Sequence, residues 1–189
     1  MAITCTTVPD LLDQSERAEL LVEAAALRDG AERRDRPGWQ VVDGTQFLGP
    51  AHYWFSAEGT VRPRVHAALA ARIGERLSIA VHPVQSNYLY YGPGDSLGLH
   101  HDQARCPFAL VTLLDGEAEP LCVHPELAGA AVEGLATLVS PGGHTGGGPV
   151  ALQDGPLLLS GCAVPHHRDA HEGDVEITIA TFCFGEGAA

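Results

Sequence analysis

Four of the chain's ten histidines stand in two adjacent pairs, within LGLHHDQ (97–103) and AVPHHRDA (163–170). In an extended strand, residues two apart point to the same side. His100 and Asp102 then present an imidazole and a carboxylate to one face, and His101 points away. These are two ligands of the two-histidine, one-carboxylate facial triad, which suits divalent iron and leaves three coordination positions open. A third ligand must come from a facing strand. His166 is the candidate, because it ends the apolar run GPLLLSGCAVP, which reads as a core strand of the opposite sheet; His167 is its alternative. His52, His66, His82, His124 and His144 stand alone in the sequence and are assigned no role.

The elements that must position these groups change character along the chain. From residue 83 onward come short β-rich runs punctuated by Gly and Pro: PVQSNYLYYG, PFALVTLLDG, EPLCVHP, PVALQDGPLLLSG and EITIATFCFG. Strands spaced by turns without intervening helices indicate an antiparallel sandwich or barrel. Ahead of them, residues 9–29 carry Leu11, Leu12, Leu20, Leu21, Ala24 and Leu27 near helical spacing, which predicts an amphipathic helix stopped near Gly30. Residues 31–38 read as a polar loop, and 39–49 as a hairpin around an Asp-Gly turn. A second helix is predicted over 62–78, with Val65, Leu69, Ile73 and Leu77 four apart and Pro63 in the first turn. Residues 127–140 suggest a helix inserted between strands, and 141–149 a flexible loop or lid. The glycines at 142–148 lack the Gly-Lys-Ser/Thr ending of a phosphate-binding loop. The expectation is one domain, 1–189, mainly β with flanking helices: helical N-terminal support over 1–82 and a β core over 83–189.

Eleven Lys+Arg, all arginine, against 24 Asp+Glu give a net charge of −13, which repels phosphate backbones and argues against a nucleic-acid partner. Hydrophobic residues at 45% and charged ones at 19% are globular proportions, and no apolar run is long enough to cross a bilayer. The N-terminus has no basic start followed by an apolar stretch, so a cytoplasmic, water-soluble protein is expected. Cys5, Cys106, Cys122, Cys162 and Cys183 are odd in number and hold no Cys-x-x-Cys pair, which fits reduced thiols better than a disulfide frame.

The run NYLYYGPGDSLGLHHDQ resembles the tyrosine strand, glycine-containing turn and His-x-Asp motif of the iron(II)/2-oxoglutarate-dependent dioxygenases. GPLLLSGCAVPHHRDAHEGDVEIT resembles their distal-histidine strand, so the similarity spans roughly residues 83–184. It implies a double-stranded β-helix (jelly-roll, cupin-like) core, with Fe(II) held by His100, Asp102 and His166 and 2-oxoglutarate as cosubstrate. It also implies dioxygen chemistry, typically hydroxylation, and places Tyr91 in the cosubstrate or substrate wall. The family's usual arginine, some ten residues past the distal histidine, grips the far carboxylate of 2-oxoglutarate. Here that stretch reads HEGDVEITIA, leaving Arg105 and Arg168 as the arginines nearest the ligands in sequence. The superfamily's halogenases replace the carboxylate ligand with a small residue, so Asp102 argues against halogenation.

The leading expectation is a hydroxylase of a small molecule such as an amino acid or natural-product intermediate. Alternatives are an iron(II) oxidase or dioxygenase that does not use 2-oxoglutarate, and a non-catalytic cupin-like metal-binding module. A nucleic-acid dealkylase is opposed by the net charge of −13.

Overall fold

The computed structural model describes residues 5–36, 38, 40–42, 45–118, 120–130, 135, 139–140, 143–144 and 148–187. In chain order their strands are β1 (Cys5–Thr7), β2 (Glu32–Arg36), β3 (Gln40–Val42), β4 (Thr45–Phe47), β5 (Ala51–Ser56), β6 (Val81–Tyr91), β7 (Leu97–His100), β8 (Phe108–Asp115), β9 (Leu121–Val123), β10 (Val139–Ser140), β11 (Gly143–His144), β12 (Gly148–Val150), β13 (Leu157–Leu159), β14 (His166–Arg168) and β15 (Ile177–Glu186). The helices are α1 (Gln14–Leu27) and α2 (Val61–Leu77). A seven-stranded sheet runs β1-β13-β8-β15-β6-β5-β2, a six-stranded sheet runs β12-β9-β14-β7-β4-β3, and β10 pairs with β11. Every strand pairing is antiparallel, and the two large sheets face each other as a jelly roll.

The two-residue strand period sorts the core into layers. On β6, β8 and β15 one set of side chains (Tyr88, Tyr90, Leu110, Leu114, Ala180, Phe182, Phe184) turns outward. It packs under Leu20 and Ala24 of α1 and Val65, Leu69 and Ile73 of α2. The alternate set (Tyr91, Ala109, Val111, Leu113, Ile177, Ile179) turns inward and meets Leu121 and Val123 of the smaller sheet. Full burial of each large aliphatic or aromatic side chain is worth about 1.5–3 kcal/mol, so both layers are needed. The helices therefore leave the space between the sheets to the inward set and the site.

α1 begins at a capping box, in which the Asp13 side chain accepts from the Glu16 amide and Glu16 reaches back to the Asp13 amide. That cap starts the helix at Gln14, five residues later than the apolar pattern suggests. α2 has no side-chain cap of its own at Thr60. Instead Glu23 of α1 accepts the amides of Thr60, Val61 and Arg62 at 2.5, 2.7 and 3.0 Å, and the Tyr88 hydroxyl at 2.7 Å. Burial alone would raise the Glu23 carboxyl, but these hydrogen bonds outweigh it and hold the group below its usual value.

Two expectations are corrected here. Residues 32–36, expected in a loop, form edge strand β2 against β5. Its run of charges is the composition that keeps an exposed sheet edge from pairing with other chains, which hides it from a hydrophobic pattern. The cysteines are not all reduced: Cys106 and Cys183 are disulfide-bonded across a sequence separation of 77, while Cys5, Cys122 and Cys162 are free. Register explains the pairing, since Phe108 pairs with Phe184 and Ala109 with Cys183 where β8 enters the sheet beside β15. Reduction, or Cys106→Ser, should cost about 2–4 kcal/mol. The urea midpoint should fall in both cases, with no further fall when reductant is added to the variant.

Residues before 83 supply both helices and also strands of both sheets, β1, β2 and β5 in one and β3 and β4 in the other. The helix expected over 127–140 and the loop over 141–149 fall largely outside the described residues; at their described flanks are a 3-10 turn, Pro125–Leu127, and the strands β10 to β12. Among the described residues no helix is long and apolar enough to cross a membrane.

Candidate metal centre

His166 and His100 are direct cross-strand partners on β14 and β7. Opposed residues on one face of an antiparallel pair hold their Cβ atoms about 4.5–5.5 Å apart, so two imidazoles must meet. Their ring centroids lie 4.2 Å apart at an interplanar angle of 55°. Both rings are anchored alike: Nδ1 of His100 donates to the Gly98 carbonyl at 2.9 Å, and Nδ1 of His166 to the Val164 carbonyl at 3.0 Å. A proton fixed on Nδ1 leaves the lone pair on Nε2, the atom each ring presents to Asp102. Oδ1 of Asp102 stands 3.7 Å from Nε2 of His100 and 3.9 Å from Nε2 of His166. Ligand atoms of all three residues lie within 4.8 Å of one another.

β7 ends at His100, so Asp102 is aimed by a loop, not a strand. Its amide donates to the Gly161 carbonyl at 2.9 Å. A Cβ on Gly161 would lie 2.0 Å from Oδ2 of Asp102, so only glycine leaves room for that carboxylate. Gly161→Ala should displace the carboxylate and lower iron affinity about 10–100-fold, as supporting residues of metal ligands do, with little loss of fold. A metal titration beside a thermal melt reads the two effects separately.

Burial first, and the neighbouring His166 second, hold His100 well below its usual value, which keeps the ring neutral and its lone pair available. Burial pushes Asp102 up, against the pull of His166 and His101. A carboxylate held against its own desolvation beside two imidazoles suits a divalent cation, whose charge reverses that balance. The donor set of two nitrogens and one carboxylate oxygen fits Fe(II).

These groups line one end of a cavity of about 700 Å³ between the sheets. Arg168 lies two residues beyond His166 on the same strand and lines the same cavity, at 2% exposure. Its guanidinium carbon is 5.4 Å from the centre of the Tyr91 ring. Tyr91 is buried, its hydroxyl pushed up first by desolvation, and its ring centroid is 5.8 Å from that of Tyr53. Arg105, by contrast, is exposed at the cavity rim and bonds Gln103 and Gln85.

The structure thus brings His100, Asp102, His166, Tyr91 and Arg168 to one chamber and leaves Arg105 at its mouth. One expectation is corrected: His166 does not lie on the opposite sheet. The apolar run before it divides into β13 in the larger sheet and β14, which pairs with β7 in the smaller one. The turn Ser160–Pro165, with Val164 bonded back to Ser160, carries the chain from one sheet to the other. His167 points to the other face of β14, where its Nδ1 lies 3.0 Å from Nε2 of His124. His101 is half-buried and outside the ligand cluster; burial and then His166 lower it. His66 bonds the Cys183 carbonyl at 2.9 Å, His52 faces Asp35 at 3.0 Å and His82 the Gly187 carbonyl at 3.1 Å. The side chain of His144 lies outside the described residues. Sequence reasoning missed Gly161 and Tyr53; a glycine in the turn before the distal histidine was a signal for the first, and nothing in the local pattern marked the second.

No protein-family model matches the chain, and no curated protein matches it. Among solved structures, the fold is similar to that of SnoN, a non-haem α-ketoglutarate-dependent epimerase from nogalamycin biosynthesis, with 16% identity, TM-score 0.62, and coverage of 97% of this chain and 78% of SnoN. It is also similar to HygX from Streptomyces hygroscopicus with nickel, 2-oxoglutarate and hygromycin B bound, with 14% identity, TM-score 0.62, and coverage of 97% and 83%. A Pseudomonas putida prolyl-4-hydroxylase matches with 16% identity, TM-score 0.57, and coverage of 98% and 94%. The chain therefore has the jelly-roll fold that these iron and 2-oxoglutarate enzymes use.

Proposed function

We propose that this protein is a non-haem iron(II), 2-oxoglutarate-dependent oxygenase that hydroxylates a small molecule bearing an anionic group. The observation that carries the proposal is the convergence of His100, Asp102 and His166 in one cavity, both Nδ1 atoms pinned to carbonyls. Bound there, iron(II) would supply the oxidation in which 2-oxoglutarate, dioxygen and a substrate C–H group become succinate, carbon dioxide and a C–OH group.

The chain's own residues bind, orient and exclude water. His100, Asp102 and His166 would hold the ion, a ligand set that leaves positions open for cosubstrate and dioxygen. Arg168, on the same face of β14 as His166, offers the planar fork that grips a carboxylate in two parallel hydrogen bonds. Tyr91, kept protonated by burial, lines the wall beside it. Val111, Leu121 and Ile179 make the surrounding surface apolar, which strengthens these charged contacts.

The substrate class follows from charge. In a chain of net charge −13, the cavity is lined by Arg34, Arg36, Arg62, Arg105 and Arg168 and, among the described residues, by a single carboxylate, Asp102. Arg34 is paired with Glu32 at 2.7 Å, and Arg62 is engaged by Ser86 and the Ala57 and Glu58 carbonyls. Arg105 bonds two neutral amides, so those bonds leave its charge to attract an anion at the mouth. The same distribution opposes an entering cation.

The test is anaerobic addition of Fe(II), then 2-oxoglutarate, to metal-free protein. A visible charge-transfer absorption should form and be lost in Asp102→Ala, and succinate release should rise with carboxylate- or phosphate-bearing candidates. Iron binding without that absorption would instead support the oxidase in which substrate itself chelates the metal. Binding with no oxygen consumption under any substrate would leave a non-catalytic module.

A further inference from the structure

We infer, resting on the triad reading above, that the Cys106–Cys183 disulfide is a positioning clip for Asp102, so that the triad's metal affinity depends on the redox state of these two cysteines. Neither cysteine is a ligand; the pair acts through the loop that carries one.

Of the three proposed ligands, Asp102 is the one that no strand holds. His100 and His166 are paired with each other on β7 and β14, whereas β7 ends at His100 and β8 starts only at Phe108. A loop between them carries the carboxylate, and each of its residues is free to leave its backbone conformation unless something ties it. It is tied on both sides of Asp102. On one side the Asp102 amide donates to the Gly161 carbonyl at 2.9 Å. On the other, Gln103 opens a four-residue turn that closes where the Cys106 amide donates to the Gln103 carbonyl at 2.8 Å. Asp102 therefore stands directly before a turn whose last residue is Cys106, and whatever fixes Cys106 fixes the chain as it leaves the ligand.

Two ties to the larger sheet hold that turn, and they land side by side. Cys183 and Gln85 are cross-strand partners on β15 and β6. Cys106 is bonded covalently to the first, and the Arg105 guanidinium donates to Oε1 of the second at 2.7 Å. The Arg105 bond is exposed, so water competes for it; the disulfide has no such competitor. Cys183 lies between Phe182 and Phe184, which turn outward under the helices, so its own side chain turns inward. Both cysteines line the cavity together with His100, Asp102 and His166. The disulfide thus runs from the larger sheet to the loop that leaves the smaller one, in the wall of the chamber that the ligands share.

A disulfide far from any site stabilises the fold by restricting the unfolded chain and leaves ligand geometry alone. This one also restricts the folded chain, beside a ligand that has no strand of its own. Reduction by a dithiol passes two electrons and two protons to the pair, breaks the S–S bond and leaves two thiols, while the dithiol closes to its own disulfide. β8 and β15 stay paired, but the turn after Asp102 loses its covalent tie.

Co(II) is the probe, read by its visible absorption on titration into the metal-free full chain at a temperature where every variant is folded. The variant carrying both Cys106→Ala and Cys183→Ala, which leaves no thiol at the clip, should need about 10–100-fold more Co(II) than the wild type. Wild type reduced with dithiothreitol and desalted without air should weaken likewise, with Cys106 and Cys183 now open to alkylation after denaturation, and should recover on reoxidation with a disulfide such as oxidised glutathione. Leu69→Ala, which removes a buried contact between α2 and the larger sheet, is the control for stability: it should melt lower and bind Co(II) as the wild type does. A double-mutant cycle separates positioning from general loosening. In an Asp102→Ala background, removing the disulfide should no longer change Co(II) affinity, because the ligand that it positions is gone. Equal affinity in the wild type and the double alanine variant, or the same loss with Asp102 absent, would overturn the clip. Co(II) binding by the oxidised wild type that is indifferent to both His100→Ala and Asp102→Ala would instead remove the proposed function on which the clip rests.

Discussion

Alanine in place of Asp102 should reduce iron-dependent turnover at least a thousandfold, about 4 kcal/mol of transition-state stabilisation, while leaving the metal-free protein folded. The two halves of that expectation have one cause. Asp102 is pushed up by burial, because the folded state strips water from its ionised form. Removing that group relieves a desolvation cost, and the metal-free variant should melt no lower than wild type. With Fe(II) present the order reverses: the ion binds only the folded wild-type chain tightly and raises its melting temperature, whereas the variant, lacking the carboxylate ligand, gains little. His100→Ala should behave like Asp102→Ala in turnover, because its Nε2, aimed by the bond from Nδ1 to Gly98, is a proposed ligand atom. His101→Ala should be far milder, since His101 is outside the ligand cluster. Equal losses in His100→Ala and His101→Ala would remove the triad assignment.

That His100 and Asp102 share a side was legible because the strand period is two; the same parity puts His166 and His167 on opposite faces but does not say which of them meets His100, so both stayed open in the sequence. Asp102 lies just past the end of β7, so strand parity alone does not aim it; the bond from its amide to the Gly161 carbonyl does. What parity cannot carry is sheet membership. The run from Pro156 to Pro165 is apolar but for Ser160, and its division between sheets depends on the turn that starts there, which one small polar residue marks only weakly. Long-range register is hidden for the same reason. The Cys106–Cys183 bond and the Cys122–His167 pairing each follow from which strands become neighbours, and no spacing within the sequence reports that. β2 escaped because an edge strand is free to be charged on both faces. The helices were easier: the four-residue apolar spacing of α2 is a local signal that tertiary packing reinforced.

The proposed stand-in for the missing arginine, Arg168, comes from the same strand geometry and yields the second large effect. Ten residues past His166 the chain enters β15, where the inward positions Ile177 and Ile179 are apolar core. Arg168, two past His166 and on its face, supplies a buried guanidinium to the chamber from a different strand. A charge-assisted hydrogen bond is worth about 1.5–3 kcal/mol, so Arg168→Met, which keeps much of the stem's volume, should raise the KM for 2-oxoglutarate about 10–150-fold. Iron affinity should change little, because Arg168 is not a ligand. Arg168→Lys should fall between, retaining charge but not the two-pronged geometry. Arg105→Ala should leave this KM unchanged, as that side chain is exposed at the rim. The decisive comparison is KM for 2-oxoglutarate beside iron affinity in all four proteins. A rise confined to Arg105→Ala would move the anchor to the mouth. Unchanged KM in both would mean that 2-oxoglutarate, if it binds, is held without a guanidinium.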